Sequence, residues 1–362
     1  MTLGLFLAIG ESLGDFNSKG QLKRLTGYNI KKYSESFGKV YIFSYADEYF
    51  ELPQNCQLVV NKYHLHRYLY AFLMPIIHYR QVKDCNILRG LQITGGIPAL
   101  VSKILYGKKF TINYGYDYSQ FALLEGKPIQ SLFYKIIKTP ILFLADSIIV
   151  PSKTIAGRLR EKFPKKIVYI PNGVDAKLFY PLKTKTDKRS IDIVFVGRLE
   201  KQKNLESLIK AARDLKINYN LTFYGEGSKL EELLKLAKNL NVPLQIKKPV
   251  AYKEVPKILR SCDIFVLPSY KEGSPKILLE AMASGCAIVA SGIPQITEII
   301  TDGETGVLTG QTPQELANVI GKLRDFKTRQ KLGQNARKTV IEKYEINKLL
   351  AKEITILINL AK

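Results

Sequence analysis

Short apolar runs without polar alternation, separated by stretches of helical spacing, recur along this chain and restrict its fold more than any other feature. In the first half Leu3–Ile9, Val40–Phe43, Phe110–Asn113, Asp146–Val150 and Lys166–Ile170 read as strands. In the second half Ile191–Val196, Tyr219–Tyr224, Leu244–Ile246, Ile264–Leu267 and Ala287–Val289 do the same. Between them lie helical patterns at Leu100–Tyr106, Lys153–Lys162, Leu205–Leu215, Lys229–Asn239, Val255–Arg260 and Pro275–Ser284. In the third of these, Leu205, Leu208, Ile209 and Ala212 fall on one face. A strand that is apolar on both sides must be covered on both sides, and helices between parallel strands supply that cover. The pattern therefore predicts an α/β protein built on open parallel sheets. From Pro313 onward the spacing is almost entirely helical.

At 362 residues, 46% of them hydrophobic, the chain is long for one core and suits two. The pattern breaks at Pro181–Ser190, where the run 183–189 has no apolar residue, so this stretch reads as an exposed link. The expected organisation is a first Rossmann-like domain at 1–178, a second at 190–345, and a C-terminal helix at 346–362 packing back on the first. Two such domains facing each other leave a cleft, and ligands of open parallel sheets bind beyond the carboxyl ends of the strands.

The formal charge is +23, from 55 basic and 32 acidic residues. Such a surface attracts polyanions: nucleic acid, an anionic membrane or phosphorylated substrates. No basic block stands apart from the folded pattern, and no concentrated stripe with aromatic platforms marks a nucleic-acid binder. Cys56, Cys85, Cys262 and Cys286 are far apart and lack metal-site spacing, as befits reduced thiols in a cytosolic protein. Leu3–Ile9 has no basic region before it and no cleavage pattern, so it reads as a strand and not as a signal peptide. The greasiest region, Ile136–Val150, is interrupted by Lys138 and Asp146 and is too short to span a bilayer. These features predict a cytoplasmic protein, soluble or bound at the inner membrane face. His64, His66 and His78 have no Cys, Asp or Glu beside them to complete a metal site. Their segment, Lys62–Arg80, leaves two readings: a membrane-facing helix with Arg67 and Arg80, or burial in the first domain.

The chemistry-bearing residues cluster just after strands. Gly197-Arg198-Leu199-Glu200-Lys201-Gln202-Lys203-Asn204 joins a strand to a helix, and Arg198 and Lys203 can converge on one anion, the first as a planar fork and the second as a point charge. A plain solvated turn is the alternative. Tyr224-Gly225-Glu226-Gly227-Ser228 occupies the same strand-end edge, although a lone Gly-x-Gly is more often a tight turn than a ligand loop. In Glu272-Gly273-Ser274-Pro275-Lys276-Ile277-Leu278-Leu279-Glu280 the chain turns at Gly273, and Pro275 suits the first helical position. The free amides of that first turn suit a phosphate. Glu280, about five residues into an apolar helix, can accept two hydrogen bonds from a ribose diol, and Glu272 can hold a sugar hydroxyl. In the first half, the loops Gly14–Gly20 and Tyr114–Asp117 follow strands and would open onto the cleft, with plain βα turns as the alternative. No Ser–His–Asp order suggests hydrolysis, and no Asp-x-Asp run marks a metal-bound sugar nucleotide.

Taken in order, these motifs resemble the family 4 retaining glycosyltransferases, which have the two-domain GT-B fold. Pro171-Asn172-Gly173-Val174-Asp175 looks like that family's interdomain motif, and Val196-Gly197-Arg198-Leu199 with Lys203 like its phosphate loop. Glu272 and Glu280 match its paired glutamates, and Ser291–Ile296 and Asp302–Gly306 match later turns. The resemblance implies transfer of a hexose from a nucleoside-diphosphate sugar, with retention, to a glycan or lipid-linked acceptor. It implies Arg198 and Lys203 on the donor diphosphate, Glu280 on the ribose, and Glu272 with Gly273–Lys276 on the sugar. It places Gly197, Glu226, Ile277 and Leu278 along the donor, and Gly14 closing on donor or acceptor. Metal and cofactor are not expected, because the basic pair and helix start neutralise the leaving diphosphate. Many relatives carry His where this chain has Tyr114, and a phenol is a poorer proton carrier. Tyr114 and Asp117 are then contacts for sugar or acceptor. The first loop matches the relatives' paired glycines only at Gly14 and Gly20. A nucleotide-sugar epimerase on the same scaffold is the alternative enzyme, and a basic nucleic-acid-binding protein the alternative outside enzymes.

Overall fold

The computed structural model describes residues 1–362 except Lys19, Tyr116, Glu125, 183–185 and Lys188. Much of the expected link, and one position in each first-half loop, thus lies outside the described residues. The chain divides into two compact units, Met1–Pro171 with Lys348–Lys362, and Asn172–Asn347.

The first unit holds seven parallel strands: β1 (Thr2–Phe6), β2 (Lys39–Phe43), β3 (Cys56–Val59), β4 (Ile87–Gly90), β5 (Phe110–Asn113), β6 (Ser147–Val150) and β7 (Ile167–Tyr169). Their order is β3-β2-β1-β4-β5-β6-β7. Successive side chains alternate between the sheet's faces, so Leu3, Leu5, Val40 and Ile42 join one core and Phe6, Tyr41 and Phe43 the other. The first core is closed by Ile354 and Leu357 of the C-terminal helix Ile346–Ala361. The second is closed by helices Arg67–Ile77, Gly96–Tyr106 and Pro128–Leu144, through Tyr70, Met74, Ile97, Ala99 and Ile141.

The second unit holds β8 (Ile191–Val196), β9 (Tyr219–Tyr224), β10 (Leu244–Lys247), β11 (Ile264–Leu267), β12 (Ala287–Ser291) and β13 (Val307–Thr309). All pair in parallel, in the order β10-β9-β8-β11-β12-β13. The bounds of β8, β9 and β11 are those the apolar runs predict. Leu205, Leu208, Ile209 and Ala212 are buried together, as their spacing requires. In both sheets the strand order reverses beside the first strand, so chains leaving β8 and β11 feed helices on opposite faces and part above the sheet edge. Gly173 packs against the backbone of Ile346, where a Cβ would come within 2.7 Å of its Cα, and Val174 bridges Glu345.

Two local expectations are corrected. Pro275 is the N-cap of helix Lys276–Ala283, one position before its first helical residue. Gly14 lies in the first turn of a short helix, Leu13–Ser18, and not in an open loop.

Candidate active site

Two loops flank the reversal point of the second sheet. Gly197–Asn204 follows β8 and contains a 3-10 turn, Lys201–Lys203; 268–275 follows β11 and ends at the Pro275 cap. They are laced together. The Tyr270 N–H donates to the Gln202 carbonyl (2.9 Å), and the Gln202 side-chain amide donates to the Lys271 carbonyl. Lys203 Nζ lies 2.7 Å from Glu272 Oε1, although the two are 69 residues apart in sequence, and Ser269 Oγ donates to the same oxygen at 2.6 Å. The lysine and glutamate side chains are only 12% and 7% exposed, so each compensates the charge of the other in a largely dry setting. Lys203 therefore points at Glu272. Two of the expected site residues are brought into direct contact.

The third loop, between β9 and helix Leu230–Asn239, is locked to the first. The Leu199 N–H donates to the Glu226 carbonyl (2.8 Å), and the Lys229 N–H to the Leu199 carbonyl (2.9 Å). Glu226 contributes through its backbone, while its side chain is exposed. The Glu200 carboxylate accepts from the Ser228 N–H (3.0 Å) and hydroxyl (2.6 Å). Burial opposes ionisation of Glu200, but the two Ser228 hydrogen bonds and the charges of Arg198 and Lys229 outweigh it and hold its pKa below the ordinary value. Arg198 itself is exposed.

The glycines of this loop are required by space. A Cβ on Gly225 would strike the Gly197 carbonyl oxygen, and one on Gly227 the Leu199 backbone. Both obstacles are backbone and cannot swing aside. Gly225→Ala is expected to destabilise the second unit by about 1–3 kcal/mol through overpacking, read as an earlier midpoint in chemical denaturation. An unchanged midpoint would show that the two loops separate freely.

At the third segment, Asn172 Nδ2 donates to the Ser274 carbonyl (2.8 Å), fixing the turn ahead of the helix. Pro275 is buried and Lys276 exposed. Leu278 N–H turns back to the Pro275 carbonyl (3.2 Å), closing the first turn of the helix that Lys276 and Ile277 open. Glu280 is the fifth residue of this helix and is buried, in a stretch where Leu278, Leu279, Ala281, Met282 and Ala283 are also buried. A carboxylate in that setting must be compensated.

In the first unit the picture differs. The N–H groups of Leu13 and Gly14 donate to the two carboxylate oxygens of Glu48, both at 2.8 Å. Two amides of the Gly14 turn are thus held by an internal anion. Tyr114 and Asp117 lie beyond β5 and interact; burial first, and then Asp117, raises the Tyr114 pKa. Burial works against ionisation of Asp117, but the Ser119 (2.6 Å) and Lys138 (3.2 Å) hydrogen bonds prevail and hold its pKa low.

Ser269, Gln202, Glu200 and Glu48 escaped the sequence reading. Ser269 stands three residues before Glu272, a Ser-x-x-Glu spacing that makes a local hydrogen bond readable. Gln202, Glu200 and Glu48 act on partners far along the chain and leave no local signal.

Residues 179–339 match the family model described as glycosyl transferases group 1. An uncharacterised glycosyltransferase of Methanocaldococcus jannaschii is 33% identical over 267 residues, covering 69% of this chain and 68% of that one. This chain belongs to the glycosyltransferases. The whole length superposes on a sucrose-phosphate synthase from Thermosynechococcus elongatus, with a TM-score of 0.82, 18% identity and 99% of each chain covered. It also superposes on Anabaena HepE solved in complex with UDP and glucose, with a TM-score of 0.78, 16% identity, and 99% of this chain and 100% of that one covered. The fold of this glycosyltransferase is therefore GT-B.

Proposed function

We propose that this glycosyltransferase moves a hexose from a nucleoside-diphosphate sugar to a glycan or lipid-linked acceptor with retention of anomeric configuration, in the cytoplasm. The observation that carries the donor assignment is the Lys203–Glu272 pair, lodged between the loops after β8 and β11 where the strand order reverses. A diphosphate entering there draws Lys203 away from Glu272 and onto phosphate oxygen. Arg198 adds a planar fork from the neighbouring turn, and the Lys276 and Ile277 amides add the positive end of a helix. Glu272, released, accepts a hydrogen bond from the sugar, and buried Glu280 accepts from the ribose diol. Glu272 is thereby a switch between cation and sugar, a role that its two present donors support.

In the reaction the bond between the anomeric carbon and the leaving phosphate oxygen breaks, and the acceptor oxygen bonds to the same face. The acceptor's proton passes to that phosphate oxygen. Charge grows on the diphosphate in the transition state, where fixed cations and amides act most strongly. Tyr114 and Asp117, with Gly14, are assigned to sugar or acceptor contacts. Tyr114, held un-ionised, serves as a hydrogen-bond donor and not as a base.

Glu280→Ala is expected to weaken nucleoside-diphosphate binding about tenfold to a hundredfold, the worth of one or two charge-assisted hydrogen bonds. Calorimetric titration with UDP, GDP and ADP measures it, and the 2′,3′-dideoxy analogues of each should bind both proteins alike. Wild-type affinity for the ribonucleotide in the variant contradicts the assignment. Product screens with and without acceptor extract separate transfer from epimerisation, since only the latter proceeds without acceptor.

A further inference from the structure

The helices Arg67–Ile77, Gly96–Tyr106 and Pro128–Leu144 close one core of the first unit with their inner faces. The first and third meet directly, with the Tyr68 and Phe133 rings edge to face at 5.2 Å. Their outer faces are also apolar. Leu69, Phe72 and Ile76 are exposed on the first, and Ile129, Leu132 and Ile136 on the third. Each set follows the same i, i+3, i+7 spacing, so each is a continuous stripe along its helix. Ile104 of the middle helix is 66% exposed and Ile129 is 86% exposed. Single exposed apolar residues are ordinary, but aligned stripes on touching helices are not.

Among the described residues, the exposed charges carried by these three helices are all basic. None of the three helices contains Asp or Glu. Exposed Arg67, Arg80, Lys83, Lys127 and Lys135 lie on or beside them. Of the nearby acids among the described residues, Asp117 is engaged by Lys138, Asp146 by Lys103 and Asp84 by Lys39 and Tyr41. Among the described residues no helix is long and apolar enough to cross a membrane. A second copy of this chain seated on the face would set the same cations against each other. An anionic bilayer receives both features, the stripes entering the acyl boundary and the cations meeting the headgroups.

We propose that this three-helix face docks the protein on an anionic lipid surface, in the plane of the membrane and without crossing it. The proposal deepens the lipid-linked side of the acceptor reading, and it stands independently of which nucleotide the second unit binds.

Co-sedimentation with phosphatidylcholine vesicles, and with vesicles that also contain phosphatidylglycerol, tests it on the full chain. Wild-type protein should partition to the anionic vesicles about tenfold more strongly than to neutral ones, and less so at high salt. Leu132→Glu/Ile136→Glu and Leu69→Glu/Phe72→Glu should each lower that partition about tenfold. Because these side chains are exposed, the thermal midpoint and nucleoside-diphosphate affinity should stay at wild-type values. Equal pelleting with neutral and anionic vesicles, or with wild-type and substituted protein, overturns the proposal. So does a dimer in light scattering that the same substitutions dissociate while vesicles capture nothing. Retained pelleting with no nucleotide binding would count against the donor assignment alone.

Discussion

Arg198→Ala is expected to lower turnover by about 10²–10³-fold with a much smaller change in donor affinity, the pattern of an interaction made chiefly in the transition state. In the proposed donor complex the ground-state diphosphate already has Lys203 and the helix start near it, whereas the charge that grows as the sugar departs needs a further donor. Arg198 is exposed, and the neighbouring Leu199 is fixed by backbone hydrogen bonds to the third loop, so truncation leaves the scaffold intact. Arg198→Lys keeps the charge but loses the planar fork and should recover only part of the rate. Lys203→Ala is a harsher change, since it leaves Glu272 nearly buried with only Ser269 on the oxygen that the lysine held. Its loss of rate should therefore come with a lower thermal midpoint, which Arg198→Ala should not show. Turnover and initial-rate KM on the donor identified by product screening, with melting curves beside them, decide the matter. Near-wild-type turnover in Arg198→Ala would remove the arginine from the mechanism.

The alternation of apolar runs made the fold legible because a strand buried on both faces has no freedom to be polar. Ile264–Leu267 is buried at every position and was readable to the residue. β4 was not, because Arg89 interrupts Ile87 and Leu88 with the most polar side chain available. That arginine is tolerated only because a carboxylate 264 residues away meets it. The same distance problem governs the site. The glycines, the cations and the two glutamates of the second unit stood out as local patterns at strand ends. Their pairing did not, because Lys203 and Glu272 become neighbours only when β8 and β11 lie side by side. The Gly14 turn was misread for the same reason, since Glu48 caps its amides from 34 residues away. Exposure was the least legible property. The Pro128–Leu144 helix is apolar on its inner and outer faces alike, and only the folded unit separates Ile141, buried, from Ile136, exposed.

Glu353→Ala is expected to destabilise the first unit by about 3–5 kcal/mol, the effect of stranding one partner of a buried ion pair. Arg89 is 1% exposed, and its Nε lies 2.8 Å from Glu353 Oε1. A second guanidinium nitrogen donates to the Gly90 carbonyl (2.8 Å), and the buried Tyr33 hydroxyl donates to the same carboxylate oxygen as Arg89. Glu353 stands on the C-terminal helix whose Ile354 and Leu357 close the core over Leu3 and Leu5, so its loss also loosens that helix. Burial alone would raise the Glu353 pKa; the Arg89 charge and the hydrogen bonds from Arg89 and Tyr33 outweigh it and hold the folded value below the ordinary 4.5. The sign follows from linkage. A depressed carboxylate contributes stability that is fully present above its unfolded pKa and is lost as pH falls through the folded one. Wild-type stability should therefore hold above about pH 5 and decline below the ordinary glutamate value, in a step absent from the apolar pair Arg89→Met/Glu353→Leu. That pair should also recover most of the loss caused by Glu353→Ala at neutral pH. Denaturant titrations of the full chain across pH, with limited proteolysis to follow release of the C-terminal helix, make the measurement. If Glu353→Ala unfolds with the wild-type midpoint, or if the double variant is no better than the single one, the ion pair is not what fixes this helix to the first sheet.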